Sequence, residues 1–169
     1  MIIYIHGFAS SGFGLKALKF IEYYEDEIIT PSLSNIPNLA INTLEQIIEA
    51  FLNINESVYL IGSSLGGYYA LYLANKYNLK AVLINPAVDP INTLHMYEEV
   101  DFIENYYDNT KFEFANKHIL SLKNYEVKTL NNPENIMTLL QTDDEVLDYN
   151  DALEKLKVTN TVVQEGGNH

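Results

Sequence analysis

Residues 58–67 read Val-Tyr-Leu-Ile-Gly-Ser-Ser-Leu-Gly-Gly, and this stretch decides the fold. Its first four residues are apolar and predict a buried strand, and helix-like sequence then continues to Tyr77. Between strand and helix, Gly62 and Gly66 flank Ser64 in the pattern Gly-x-Ser-x-Gly, which is typical of a sharp strand-to-helix turn. Small neighbours let the strand and the helix pass closely. The pattern predicts that the Ser64 hydroxyl stands clear at one end of a sheet; a Gly/Ser turn without chemistry is the alternative.

Two main-chain amides are predicted to bind a negatively charged oxygen beside Ser64. The first is the Leu65 N–H, because it begins a helix and points towards charge that forms on a substrate oxygen. The second is the Phe8 N–H in the loop His-Gly-Phe, residues 6–8, which follows a predicted strand over residues 2–5. Together these two amides form the predicted oxyanion hole.

Apolar strands alternate with amphipathic helices along most of the chain, which is typical of a parallel sheet covered on both faces. The strands are predicted at residues 2–5, 28–30, 58–61, 81–84, 136–141 and 161–164. At 169 residues with 47% apolar side chains, the chain is long enough for one domain with a sizeable core. We therefore expect a single α/β domain over residues 1–169, with a mostly parallel, doubly wound sheet of about six strands and helices on both faces.

The alternation breaks over residues 91–126, which contain helical fragments, many tyrosines and acidic residues, and no convincing strand. An insertion at the edge where the strands end commonly covers an active site. We expect a small helical cap-like insertion here, and the alternative is that its apolar stripes serve ordinary packing.

The composition limits the classes of partner. Ten lysine and arginine residues stand against 23 aspartate and glutamate residues, so the formal net charge is −13. Such a surface repels phosphate backbones and anionic lipids, which argues against nucleic-acid and membrane partners. The absence of cysteine excludes disulfides and a cysteine nucleophile, and a cytoplasmic location is expected. No metal-ligand spacing, dinucleotide fingerprint or Walker loop occurs, so no metal or cofactor is expected.

A nucleophilic serine needs a base, usually histidine, that a carboxylate orients. In α/β serine enzymes the chain order is serine, then acid, then histidine, with the last two on loops after later strands. His169 is the candidate base because it follows the last predicted strand behind two glycines, and a frayed chain end is the alternative. His6 is expected to shape its loop, whereas His95 and His118 are expected to be surface or cap residues.

The candidate acid follows the strand predicted at residues 136–141. Asp144 is favoured because it begins Asp-Glu-Val-Leu-Asp-Tyr, which is similar to the stretch with which many hydrolases present their acid. Asp143, Asp148 and Asp89 stay open as alternatives. Their other interpretations are a turn residue for Asp143 and Asp89 and a helix N-cap for Asp148.

Five stretches carry a family likeness. They are Tyr-Ile-His-Gly-Phe-Ala-Ser-Ser-Gly (4–12), Ile-Gly-Ser-Ser-Leu-Gly-Gly-Tyr-Tyr-Ala (61–70), Asn-Pro-Ala-Val (85–88), Gln-Thr-Asp-Asp-Glu-Val-Leu-Asp-Tyr (141–149) and Glu-Gly-Gly-Asn-His (165–169). Together they span nearly the whole chain and resemble the YqiA-type bacterial esterases of the α/β-hydrolase superfamily. The resemblance implies hydrolysis of small acyl esters or thioesters, with Ser64, Asp144 and His169 matching the catalytic triad.

The chain departs from that family pattern in two places. Family members usually have glycine where this chain has Asp143, and they continue past the histidine into a final helix. This sequence stops at His169, so a truncated sequence is one interpretation. A small-molecule ester is the expected partner. The alternatives are a catalytically impaired hydrolase-fold binding protein and an acyl-CoA thioesterase, the latter disfavoured by the acidic surface because like charge slows encounter.

Overall fold

The computed structural model describes residues 1–169, and its main feature is one sheet of six parallel strands. The strands of the chain are β1 (Ile2–Ile5), β2 (Ile28–Ile29), β3 (Tyr59–Ser63), β4 (Lys80–Ile84), β5 (Ile103–Glu104), β6 (Lys111–Phe112), β7 (Ile136–Gln141) and β8 (Asn160–Gln164). The order in the sheet is β2-β1-β3-β4-β7-β8, and β5 and β6 form a separate antiparallel hairpin. The predicted α/β fold with a parallel sheet of about six strands is confirmed.

Helices connect the strands. They are α1 (Leu15–Tyr24), α2 (Pro37–Asn53), α3 (Leu65–Tyr77), α4 (Pro90–Leu94), α5 (Asn116–Ser121) and α6 (Tyr149–Lys155). Pro37 begins α2, where its fixed φ suits the first turn, and Asn78 ends α3 in the left-handed conformation at φ 55°. No helix of the chain is long and apolar enough to cross a membrane.

The two faces of the sheet are covered to different extents. On the first, Ile3, Leu60, Ala81 and Ile136 are adjacent across four strands and belong to the main hydrophobic core beneath α2 and α3. On the other face, the neighbouring row of paired residues runs from Tyr4 of β1 through Ile61 of β3 to Met137 of β7. Tyr4 and Ile61 pack against Ala17 of α1, whereas Met137 is 41% exposed. Helices therefore lie on both faces, as predicted, but α1 covers only half of its face.

Residues 91–126 differ from the expectation in one respect. The segment contains the helix α5 and the end of α4, as the helical fragments predicted, but it also contains the hairpin β5–β6. The prediction of no strand here is wrong, because strands of two residues are too short to produce an alternating pattern that a sequence window detects.

Because the sheet strands are parallel, their carboxyl ends meet at one edge. The loops that follow β1, β3, β4, β7 and β8 therefore share that edge, which is where α/β sheets bind ligands. The predicted triad and oxyanion-hole residues lie in, or directly after, these loops, whereas Gly62 lies in β3 and Gly66 in the first turn of α3.

Candidate active site

Ser64 forms the tip of the turn between β3 and α3. Its backbone has φ 56° and ψ −124°, a conformation that a non-glycine residue adopts only under strain. The Ser64 N–H donates to the Ile84 carbonyl at 3.1 Å, and the Ser64 carbonyl accepts from the Gly67 and Ala87 N–H groups at 2.9 and 3.0 Å. Main-chain bonds to α3 and to the end of β4 thus hold the strained conformation.

The glycines around Ser64 are required by close backbone contacts. A Cβ atom at Gly66 would collide with the Ile5 carbonyl oxygen, and a Cβ atom at Gly62 would collide with the Gly66 carbonyl oxygen. Neither obstacle is a flexible side chain that could move away. Both glycines therefore allow α3 to start directly against β1 and β3, which brings Ser64 beside the loop after β1.

The Ser64 hydroxyl makes no hydrogen bond within the chain and is not sealed from solvent. A Cβ atom at Gly7 would lie 3.1 Å from the Ser64 Cβ, so the loop after β1 passes directly along this side chain. Leu65 is the first residue of α3, and its N–H has no partner inside the helix. The Phe8 N–H also makes no hydrogen bond within the chain.

His6 holds the loop that carries Phe8. Its Nε2 accepts from the Leu33 N–H at 3.0 Å, so Nδ1 carries the proton and donates to the Gly7 carbonyl at 2.8 Å. Burial lowers the pKa of the His6 imidazole below its ordinary value, which keeps the ring neutral. Both ring nitrogens of His6 therefore make main-chain hydrogen bonds, in agreement with the loop-shaping role expected for this residue.

Residues 91–126 dock on the same loop. The Phe8 ring packs against Tyr97, Phe112 and Phe114, with ring centroids 4.7 to 5.8 Å apart. The Tyr106 N–H donates to the Ala9 carbonyl at 2.8 Å. The insertion thus fixes the position of the loop beside Ser64.

Asp144 and His169 form a hydrogen-bonded pair. The His169 Nδ1 lies 2.8 Å from the Asp144 Oδ2, and only 2% of the Asp144 side chain is exposed. The other carboxylate oxygen accepts the Val146 and Leu147 N–H groups at 2.9 and 2.8 Å, which fixes the carboxylate plane. With Nδ1 bonded to the carboxylate, Nε2 of His169 is the ring nitrogen left free to act as a base.

The structure brings Asp144 and His169 together but does not join His169 to Ser64. No hydrogen bond of 3.5 Å or less links the Ser64 hydroxyl to the His169 ring. Such bonds are often long in sites without substrate and tighten when substrate binds.

The alternative acids lie elsewhere in the local structure. Asp143 is exposed and accepts the Thr142 hydroxyl at 3.1 Å. Asp148 caps α6 and Asp89 caps α4, each through a main-chain N–H of the first turn. None of them contacts His169.

The remaining histidines also lie outside the pair. His95 is exposed and faces Glu98 at 2.8 Å, and His118 Nδ1 accepts the Ala115 N–H at 3.2 Å. No group of three or more His, Asp or Glu side chains is arranged to hold a metal ion.

Sequence reasoning missed Asn85, which supports the histidine loop. This residue is 4% exposed and has φ 41°. Its amide donates to the Asn168 carbonyl at 3.3 Å and to the Gln141 side chain at 3.2 Å, while its own oxygen accepts the Gln141 N–H at 2.9 Å. The available signals were its place directly after β4, at the edge where the other loops meet, and its place in the family stretch 85–88.

Lys16 and Glu145 were missed as well. The Lys16 ammonium donates to the His169 main-chain oxygen at 2.7 Å, and the Glu145 carboxylate accepts the His169 N–H at 3.1 Å. Neither residue belongs to a pattern of catalytic residues, so only the folded chain reveals the contacts.

A serine at a strand-to-helix turn on the carboxyl edge of this sheet defines the α/β-hydrolase fold, and solved structures of that class are similar. Est1E from Butyrivibrio proteoclasticus, solved with ferulic acid bound, has a TM-score of 0.73 and 13% identity, covering 99% of this chain and 80% of that one. Mouse α/β-hydrolase domain-containing protein 10 has a TM-score of 0.68 and 18% identity, covering 99% and 81%. The monoacylglycerol lipase of Paleococcus ferrophilus has a TM-score of 0.66 and 16% identity, covering 99% and 85%. At these identities the likeness establishes the fold.

The chain belongs to the family described as Uncharacterised protein family (UPF0227), whose model matches residues 1–169. A UPF0227 protein of Shewanella sp. strain MR-4 is 29% identical over 167 residues, covering 96% of this chain and 86% of the relative. The family resemblance drawn from the sequence is thereby confirmed at the level of family and fold.

Proposed function

We propose that this chain is a serine hydrolase that cleaves small carboxylic esters, or thioesters, through an acyl-enzyme on Ser64. The observation that carries the proposal is the 2.8 Å hydrogen bond between Asp144 and His169 at the sheet edge where the Ser64 hydroxyl stands free. An oriented histidine and an unpartnered serine at the same edge of the sheet are the groups that nucleophilic catalysis requires. The similar structure named as a monoacylglycerol lipase supports the same class of reaction.

In the first half-reaction, the Ser64 oxygen attacks the ester carbonyl carbon while the His169 Nε2 takes the hydroxyl proton. The Asp144 carboxylate stabilises the imidazolium that forms. The carbonyl oxygen becomes an oxyanion and accepts the Phe8 and Leu65 N–H groups, each of which contributes about 3 kcal/mol in comparable sites. The intermediate then collapses, and the alcohol leaves with the proton from His169.

In the second half-reaction, water replaces the alcohol. His169 takes a proton from the water, whose oxygen attacks the acyl carbon, and returns that proton to the Ser64 oxygen as the acid is released. No residue is consumed, and the products are one acid and one alcohol or thiol.

The insertion over residues 91–126 is proposed to act as a cap. Its aromatic side chains enclose Phe8, so the acyl group of a substrate in the oxyanion hole would lie close to this cluster. We expect a preference for short acyl chains for that reason.

A panel of p-nitrophenyl esters from acetate to laurate tests the proposal. The wild-type chain is expected to hydrolyse acetate and butyrate fastest, and Ser64→Ala is expected to lower kcat by about 10⁴-fold or more. Butyryl-CoA at the same concentration compares a thioester with the oxygen ester. Absence of turnover on every substrate would overturn the proposal and favour a binding function for the fold.

A further inference from the structure

Three charged side chains surround His169, and each contacts a different part of it. Asp144 bonds to the ring, Glu145 accepts the main-chain N–H, and Lys16 donates to the main-chain oxygen. Only the first contact belongs to a catalytic triad. The other two hold the main chain of His169.

Lys16 contacts two parts of the site. It lies in the first turn of α1, and its half-buried ammonium is 2.7 Å from the His169 main-chain oxygen and 3.5 Å from the Ser63 hydroxyl. Ser63 directly precedes the proposed nucleophile. The lysine therefore spans the gap between the end of β3 and the histidine loop.

The histidine loop needs such support because its own sequence is permissive. Gly166 and Gly167 have φ of +80° and +81°, and a Cβ atom at Gly166 would meet nothing within 4 Å. A loop of this kind has many accessible conformations that only tertiary contacts can restrict. A charge-assisted hydrogen bond to a main-chain oxygen is a strong contact of that type.

We propose, resting on the function proposed above, that Lys16 is a positioning residue that holds the main chain of His169 and so aims its ring between Asp144 and Ser64. Lys16 touches neither the reacting atoms nor the Asp144–His169 bond. Its action is on the backbone that carries the base, and Glu145 supplies a second contact to that backbone.

The local electrostatics agree with a specific role for this ammonium. Burial lowers the pKa of Lys16 from its ordinary value, whereas the carboxylates of Asp144 and Glu145 act in the opposite direction. A partly buried ammonium loses hydration, and here those carboxylates and the His169 main-chain oxygen compensate for the loss.

The first test compares Lys16→Met, Lys16→Arg and the control Lys19→Met, an exposed lysine three residues further along α1. Lys16→Met is expected to lower kcat for p-nitrophenyl butyrate by about 10- to 100-fold with KM within about twofold, since small displacements of a catalytic group cost that much. Lys16→Arg is expected to recover most of kcat because a guanidinium can also donate to the His169 main-chain oxygen. Lys19→Met is expected to match the wild type.

A purely structural role would give a different result. If Lys16 has only a structural role, Lys16→Met would lower the melting temperature while the folded protein keeps the wild-type kcat, or kcat and KM would change together. Wild-type kcat in Lys16→Met, or equal losses in Lys16→Arg and Lys16→Met, would overturn the inference.

The second test is independent of turnover. In ¹⁵N-histidine-labelled protein, the proton of the His169 Nδ1–H···Asp144 bond gives a downfield NMR signal that is assigned by its loss in His169→Gln. The signal is expected to broaden or disappear in Lys16→Met and to persist in Lys19→Met and Lys16→Arg. If the wild-type chain is inactive but the variants show these NMR signals, the proposed function is overturned and the role of Lys16 is not. If the signal is unchanged in Lys16→Met, the role of Lys16 alone is overturned.

Discussion

The serine turn and the histidine loop are built in opposite ways. Main-chain hydrogen bonds to Ile84 and Ala87, and the absence of side chains at Gly62 and Gly66, hold the turn around Ser64. Side chains from three distant stretches hold the histidine loop, residues 165–169; they belong to Lys16, Asn85 and Asp144. The turn therefore depends on backbone packing, and the loop depends on polar contacts. The two halves of the proposed site should fail differently when they are mutated.

The largest difference is expected from the same substitution made in each region. Gly66→Ala forces a methyl group into the Ile5 carbonyl, which cannot move without distorting β1. We expect a stability loss of about 3 kcal/mol and complete loss of activity. Gly166→Ala meets no neighbouring atom and costs only the strain of the left-handed backbone, about 1–2 kcal/mol.

Urea denaturation of both variants measures this contrast. Equal losses of unfolding free energy would show that the turn and the loop have the same kind of support, and the comparison would then be wrong.

The next largest effect concerns the acid. Asp144→Asn keeps the shape of the side chain but removes the charge that stabilises an imidazolium, and it can hold His169 in the wrong tautomer. We expect kcat to fall about 10³- to 10⁴-fold with little change in melting temperature. Asp143→Asn, at the exposed neighbouring position, is the control and is expected to retain wild-type kcat. The reverse result in steady-state kinetics would assign the acid to Asp143.

A smaller effect is expected at Asn85. Asn85→Ala leaves the Gln141 N–H and the Asn168 carbonyl without a partner, at a cost of about 1–3 kcal/mol. The loss of these hydrogen bonds also displaces the histidine loop, so kcat should fall about tenfold. The control is Asn78→Ala, which also replaces a left-handed asparagine but at the far end of α3. It should lower the melting temperature and leave kcat unchanged; a similar kcat in both variants would show that Asn85 supports only the fold.

The smallest effect is a pH dependence of stability that arises from His6. Burial lowers the pKa of its ring in the folded state, so the unfolded chain binds a proton first as the pH falls. Stability from this residue is present above the unfolded pKa of about 6.5 and is lost as the pH falls through that value towards the folded pKa. Melting temperatures between pH 8 and pH 5 should therefore fall more steeply for the wild type than for His6→Gln. Parallel curves would show that His6 contributes no such dependence.

The sequence predicted the parts of the molecule that local patterns encode. The Gly-x-Ser-x-Gly stretch predicts its own strand, turn and helix because both glycines and Ser64 lie within five residues, and apolar runs predict the strands of the sheet. The choice of Asp144 over Asp143 rested on a short local similarity, and in the structure Asp144 contacts His169. That contact supports the proposed assignment of the acid.

The rest was not predictable because it depends on side chains that are distant in sequence. Lys16 and His169 are separated by 153 positions. No rule of sequence spacing predicts that a lysine on a helix contacts the main-chain oxygen of His169. Asn85 belongs to a quoted family stretch, but its bonds to Gln141 and Asn168 depend on how β4 and β7 pair. The hairpin β5–β6 escaped detection because each strand has only two residues.

The most direct test of the central claim is covalent labelling with a fluorophosphonate, followed by intact-mass measurement and peptide mapping. The account predicts one label per wild-type chain on Ser64, no label on Ser64→Ala, and labelling of His169→Gln slowed by about 10³-fold or more because the base is lost. An unlabelled wild-type chain, or a label on Ser64→Ala equal to that of the wild type, would contradict it.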